Sequence, residues 1–168
     1  MVVLKKILDF YINSSLHVAL SAFALVSMTQ YFFGVEEDFS VAFFAFFGTV
    51  IGYNFVKYDA IARLNKTEIK KELKVIVFLS FISLLACFYL FLQLSWMSKV
   101  SAFAFFGLTL LYTLPFFPNK QNARNWKGVK IYIVGITWVG VTVILPLVEA
   151  EIPFTMDVLL MAMQRFLL

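Results

Sequence analysis

Long apolar runs alternate along this chain with short polar stretches, and the polar stretches alternate in charge. Runs at 13–33, 39–56, 75–97, 100–117 and 131–148 each reach about the 18 residues that mark a membrane-spanning helix. Gly34, the pair Pro115 and Pro118, and Pro146 punctuate the ends of these runs. A sixth run opens near 152 and is still apolar at Leu168. At ~1.5 Å per residue it gives about 25 Å of helix, short of a hydrocarbon core of about 30 Å. The pattern predicts an all-α, polytopic transmembrane helix bundle with five full spans and an incomplete sixth. Residues 1–168 read as a single transmembrane domain and as the N-terminal part of a larger bundle. Residues 1–12 read as a short basic lead, and 57–74 as a charged loop with a helical turn starting at Thr67. Lys70 stands where a capping box for that turn wants Glu or Gln.

Composition agrees. Of 168 residues, 62% are hydrophobic and only 14% charged, against about half and a quarter in soluble domains. No single aqueous core hides that much apolar surface. The formal net charge of +4 first raises nucleic acid as a partner, but the placement of the charges removes it. Lys5, Lys6, Lys57, Arg63, Lys66, Lys70, Lys71 and Lys74 occupy alternate loops with Lys120, Arg124, Lys127 and Lys130. The opposite loops carry Lys99 against Glu36, Glu37, Asp38, Glu149 and Glu151. This asymmetry predicts an integral membrane protein, in the plasma or inner membrane of a bacterium, with a cytoplasmic N-terminus and basic cytoplasmic loops. Tyr11, Tyr53, Tyr58, Trp126 and Tyr132 on one side, with Tyr31 and Trp96 on the other, fit interfacial belts. A leader ending at Ala22-Phe-Ala24 is disfavoured because Asn13, Ser14, Ser15 and His17 interrupt its apolar core. Cys87, the single cysteine, lies mid-span and supports neither an intramolecular disulfide nor zinc chemistry.

Several features carry candidate chemistry. Asn54 and Asp59, where the second span meets its polar loop, are oxygen ligands suited to Mg²⁺; both residues also favour helix ends and turns. Lys120, Arg124 and Lys127 share one face of a helical turn and suit a phosphate, or alternatively anionic lipid. Asn13, His17 and Ser21 recur at helical spacing, a polar stripe for a cavity wall or an interhelical hydrogen bond. Gly48 and Gly52 permit close helix packing. Gln164 and Arg165 lie on the final run, where Arg165 either snorkels or points into a cavity. Val41 to Tyr53 aligns with Val100 to Tyr112 at an offset of 59, a faint internal repeat.

Two loop exits carry a resemblance. The second-helix exit reads Tyr53-Asn54-Phe-Val-Lys-Tyr-Asp59, and the fourth-helix exit reads Leu111-Tyr112-Thr-Leu-Pro115 with Lys120 following. The pattern resembles the UbiA-type intramembrane prenyltransferases, helical bundles with an Asn-Asp-x-x-Asp-x-x-x-Asp motif after the second helix. The resemblance implies a membrane prenyltransferase in which Mg²⁺ and basic side chains hold a prenyl diphosphate as its allylic cation forms. Asn54 and Asp59 would then hold the metal. Tyr112, Lys120, Arg124 and Lys127, with Asn13 and His17, would hold the substrate. The departures are Phe55 and Tyr58 at the positions of the motif's first two aspartates, Asp59 one residue late, and no carboxylate at 61–63. A second Asp-rich motif would lie past Leu168. One carboxylate is a poor metal site, so inactivity of the chain as it stands is expected. Two alternatives remain at this point: a non-catalytic protein of the same fold that binds an isoprenoid or other lipid, and a transporter or channel subunit.

Overall fold

The protein is described from a computed structural model over residues 2–35, 39–64, 71–114 and 128–167; of residues 2, 59–64 and 71–72 only the backbone is described. Every regular element among the described residues is helical. In chain order they are α1 (Val2–Asn13), α2 (Leu16–Phe32), α3 (Phe39–Leu64), α4 (Lys71–Gln93), α5 (Trp96–Thr113), α6 (Val129–Glu149) and α7 (Met156–Leu167). Three of them, α3, α4 and α6, are long and apolar enough to cross a membrane, or four spans if the bent pair α1–α2 counts as one. The protein is therefore built as an integral membrane protein. α5 and α7 accompany these helices without reaching that measure. α5 is diluted by Lys99 and its serines and threonines, and α7 has only 12 residues.

Neighbouring helices run in alternating directions, and polar contacts at the two ends record this. At one end, Lys57 of α3 reaches Asn13 beside the start of α2. At the other, the Ser95 amide before α5 donates to the Glu149 carboxylate at the end of α6, at 3.0 and 3.2 Å. Ser95 also caps α5 by accepting from the Ser98 amide. A capping box would place Glu or Gln at the position of Ser98 to receive the cap residue's own N–H. Here Glu149, from a different helix, does that. Because a cap can be completed in space, the helix starts at Trp96, four residues before the apolar run at 100. By the same token α4 ends at Gln93 rather than continuing to 97.

α2 ends in a Schellman closure. The Gly34 amide donates to the Tyr31 carbonyl and the Val35 amide to that of Gln30, with Gly34 at φ +64°. α3 then packs along both α2 and α4. Val26, Val41, Ala42, Ala45, Leu94 and Leu145 form the main buried cluster, and small residues there allow close helix approach without a hydrophobic drive between helices. α4 turns most of its length outward: Phe78, Phe81, Phe88 and Tyr89 are each more than half exposed. In a bilayer this is its lipid-facing surface. α3 continues through the junction at 57 to Leu64, so the expected loop begins later. The helical turn expected from Thr67 lies outside the described residues.

α6 is not uniform. Gly140–Ile144 is a π-turn in which the Leu145 amide donates to the Gly140 carbonyl five residues back. Pro146 has no N–H for the carbonyl of Thr142, four residues before it. The Thr29 hydroxyl of α2 donates to that carbonyl at 2.8 Å. Proline inside a membrane helix is tolerated when a neighbouring hydroxyl serves the freed backbone group. Pro146 therefore ties α6 to α2 instead of ending a span.

The internal repeat fails in three dimensions. Val41 and Ala45 are buried while their counterparts Val100 and Ala104 are exposed, and Tyr53 is exposed while Tyr112 is buried. The matched segments face different surroundings.

Candidate functional site

Most polar side chains here are consumed locally. Ser21, Thr49, Ser80, Ser101, Thr109 and Thr137 each donate to the carbonyl four residues back, which satisfies a hydroxyl inside an apolar helix. Arg165 on α7 is the charged exception among the described residues. It is 7% exposed, and its Nη2 donates to the Leu25 carbonyl at 3.3 Å. Its Nε is covered and meets no acceptor among the described residues.

The neighbours explain why it points inward. The Thr29 hydroxyl has one proton and lies nearer the Thr142 carbonyl than that of Leu25, so the Leu25 oxygen keeps a lone pair for the guanidinium. On the other side, Phe166 packs on Gly135 of α6. A Cβ at Gly135 would fall 2.8 Å from the Phe166 ring. Glycine there lets α7 approach α6 closely at the residue next to Arg165. Leu25 lies seven residues before the last residue of α2, so the guanidinium sits about 10 Å from the nearer end of that helix.

Two clefts border Arg165. One, of about 450 Å³, is lined by Met28, Tyr31, Phe32, Leu160 and Met161, with Asp157 and Gln164. The other, of about 490 Å³, is lined by Leu25, Ile131, Val134, Trp138 and Phe166, with Lys130. Both fall in the size range of ligand pockets. Their charges differ: the second adds a cation to Arg165, the first an anion. The second cleft thus suits an anionic group with an apolar body.

The residues expected from the sequence are placed elsewhere. Asn54 is 3% exposed and turned into the α3–α4 contact, where its Nδ2 donates to the Ser80 hydroxyl at 3.0 Å. Its Oδ1 is covered and has no partner among the described residues. Asp59 lies on α3, and its side chain is outside the described residues, as are Lys120, Arg124 and Lys127 entirely. Of the two expected Mg²⁺ donors only the Asn54 side chain is described, and it keeps one oxygen unpartnered among the described residues, the kind of ligand such a cation takes. Among the described residues no three His, Cys, Asp or Glu side chains gather to hold a metal. Tyr112 is buried near the end of α5. Tyr53 accepts a hydrogen bond from Trp138 Nε1 at 3.3 Å.

The stripe Asn13, His17 and Ser21 does not survive. Asn13 ends α1 and lies across a 61° bend from His17. Ser21 is exposed, and His17 packs its ring against Tyr11, its Nδ1 buried without a partner among the described residues. Of the glycine pair, Gly48 faces Cys87 while Gly52 has open space. The sequence does hold one signal for Arg165: it is the lone basic residue of α7, in a run otherwise apolar around it. Intramembrane cations are rare enough to mark sites.

Comparison of the chain with protein families, with curated proteins and with solved structures finds no match.

Proposed function

We propose that this chain is a membrane protein that holds an amphiphile with an anionic headgroup, an isoprenoid or another lipid, without turning it over. In this reading α5 completes five spans, α7 enters as a sixth, and the basic end faces the cytoplasm. The observation that supports it is Arg165, a covered guanidinium with one acceptor among the described residues, beside an apolar cleft that also carries Lys130. Burying a cation costs several kcal/mol unless its donors are matched. An anionic headgroup matches them, and the cleft takes its apolar body.

Trp138 lines that cleft and reports on it. The full chain in nonionic detergent is titrated with a dibrominated fatty acid and with dibrominated phosphatidylcholine. The difference in tryptophan quenching between the chain and its Trp138→Phe variant isolates the cleft. The expected result is saturable quenching by the fatty acid, weakened about 10- to 150-fold in Arg165→Gln, the value of a charge-assisted hydrogen bond. Equal quenching of the two proteins sinks the reading.

Prenyl transfer is the second reading, favoured by Asn54 and Tyr112, both buried toward the same end of helices that run the same way. Binding of a prenyl diphosphate that needs Mg²⁺ and is lost in Asp59→Ala supports it. The absence of any such binding removes it.

A further inference from the structure

α1 was expected to be a mere basic lead, yet it is a 12-residue helix. At ~100° per residue, Lys5, Lys6, Asp9 and Asn13 fall within roughly a 100° arc. Leu4, Ile7, Leu8 and Tyr11 face the other way. At about 18 Å it is too short to cross a bilayer. It does not pack its apolar side on the bundle: Val3 is 71% exposed, Leu4 73%, Ile7 61% and Leu8 54%.

The way α1 leaves the bundle is fixed. It is bent by 61° from α2, nearer the membrane plane than the normal when α2 spans. Ser15 takes a left-handed conformation, φ 61°, at the bend. The Asn13 carbonyl, freed where α1 ends, accepts from the Tyr58 hydroxyl at 2.9 Å and from Lys57 Nζ at 3.2 Å; Lys57 also donates to the Asn13 side chain at 3.3 Å. Tyr11 and His17 meet across the bend with tilted rings, centroids 5.8 Å apart. The end of α3 thus clamps the corner between α1 and α2.

We propose that α1 is an in-plane anchor that recognises an anionic lipid leaflet. Its apolar face enters the acyl boundary, and Lys5 and Lys6 meet the headgroups, as amphipathic interfacial helices do. The clamp sets the tilt at which both faces engage. The partner is the leaflet at the basic end, because that is where the bend places α1.

The test uses the full chain in lipid nanodiscs, with spin labels at Ile7→Cys or Asp9→Cys in a Cys87→Ser background. Collisions with oxygen report immersion, and collisions with a water-soluble nickel chelate report exposure. In phosphatidylglycerol the label at 7 is immersed and the label at 9 exposed. Lys5→Gln and Lys6→Gln each lower the immersed-to-exposed ratio at 7 by about five-fold. Phosphatidylcholine discs, which remove the partner of both lysines, lower it by about 25-fold, and circular dichroism confirms that each variant keeps its helices. Labels at 7 and 9 with the same accessibility overturn the in-plane placement. Equal immersion in the two lipids overturns the recognition of anionic headgroups.

Discussion

The exit of α3 and the far turn of α7 make an instructive pair. Both place a polar side chain in an apolar setting, and both leave one polar atom covered and unpartnered among the described residues: Oδ1 of Asn54 and Nε of Arg165. Around Asn54 the helices close, and its carboxamide donates to Ser80 on the adjoining α4. Arg165 is as covered as Asn54, yet two clefts border it. Asn54, which the motif singles out in the sequence, thus meets a neighbouring helix, while the arginine has room beside it. A polar residue becomes a candidate site through the room beside it, and room is a property of three helices together.

Arg165→Leu tests this difference hardest. If Arg165 serves a ligand rather than the fold, removing it abolishes binding of the anionic amphiphile and raises stability. Replacing a buried charge by an apolar side chain of similar size is often stabilising, by about 1–4 kcal/mol. Unfolding in mixed micelles, followed by circular dichroism, measures the second effect. A loss of stability of that size would show instead that the guanidinium holds α7 to α2.

Gly135→Ala comes next, because it acts on the arginine through its neighbour. The new methyl displaces the Phe166 ring at 2.8 Å, an overpacking cost of about 1–3 kcal/mol. The matching change on α3, Gly52→Ala, meets open space and gains about 0.5–1 kcal/mol from helix propensity. Opposite signs in the same unfolding assay are the expected outcome. At the α3 exit, Asn54→Ala and Ser80→Ala combined in a double-mutant cycle return a coupling of about 1 kcal/mol, that of a neutral hydrogen bond. Neither change alters amphiphile binding at the Trp138 cleft.

The long apolar helices α3, α4 and α6 were legible because about twenty mostly apolar residues in a row leave few alternatives. What could not be read were the features that depend on a neighbour. Pro146 looks like the end of a span until Thr29 is seen to serve the Thr142 carbonyl. The run at 100 gives no sign that Trp96 starts α5, since its cap is completed by Glu149, 54 residues away. Asn13, Ser14 and Ser15 read as the polar opening of the first span, whereas they form a corner between two helices. The amphipathic pattern of α1 was available in the residues, but the lysines drew attention to charge rather than to spacing. Asn54 carried a motif's address, and no sequence pattern tells that Ser80 faces it.

The smallest effect concerns the two hairpins that deliver these regions. α2 closes through Gly34, and α6 closes in the same way: the Glu151 amide donates to the Val148 carbonyl and the Ile152 amide to that of Leu147. The left-handed position is glycine in the first and Glu151, at φ 53°, in the second. A side chain there costs about 1 kcal/mol relative to glycine. Glu151 is exposed, so Glu151→Gly relieves that strain with no packing lost and stabilises by up to about 1 kcal/mol. The reverse change, Gly34→Ala, destabilises by a similar amount. Amphiphile binding should be the same in Glu151→Gly as in the unaltered chain, because α7 is held at Arg165 by Gly135 and Phe166. A change in binding would mean that the hairpin, and not the contact with α6, sets where the arginine lies.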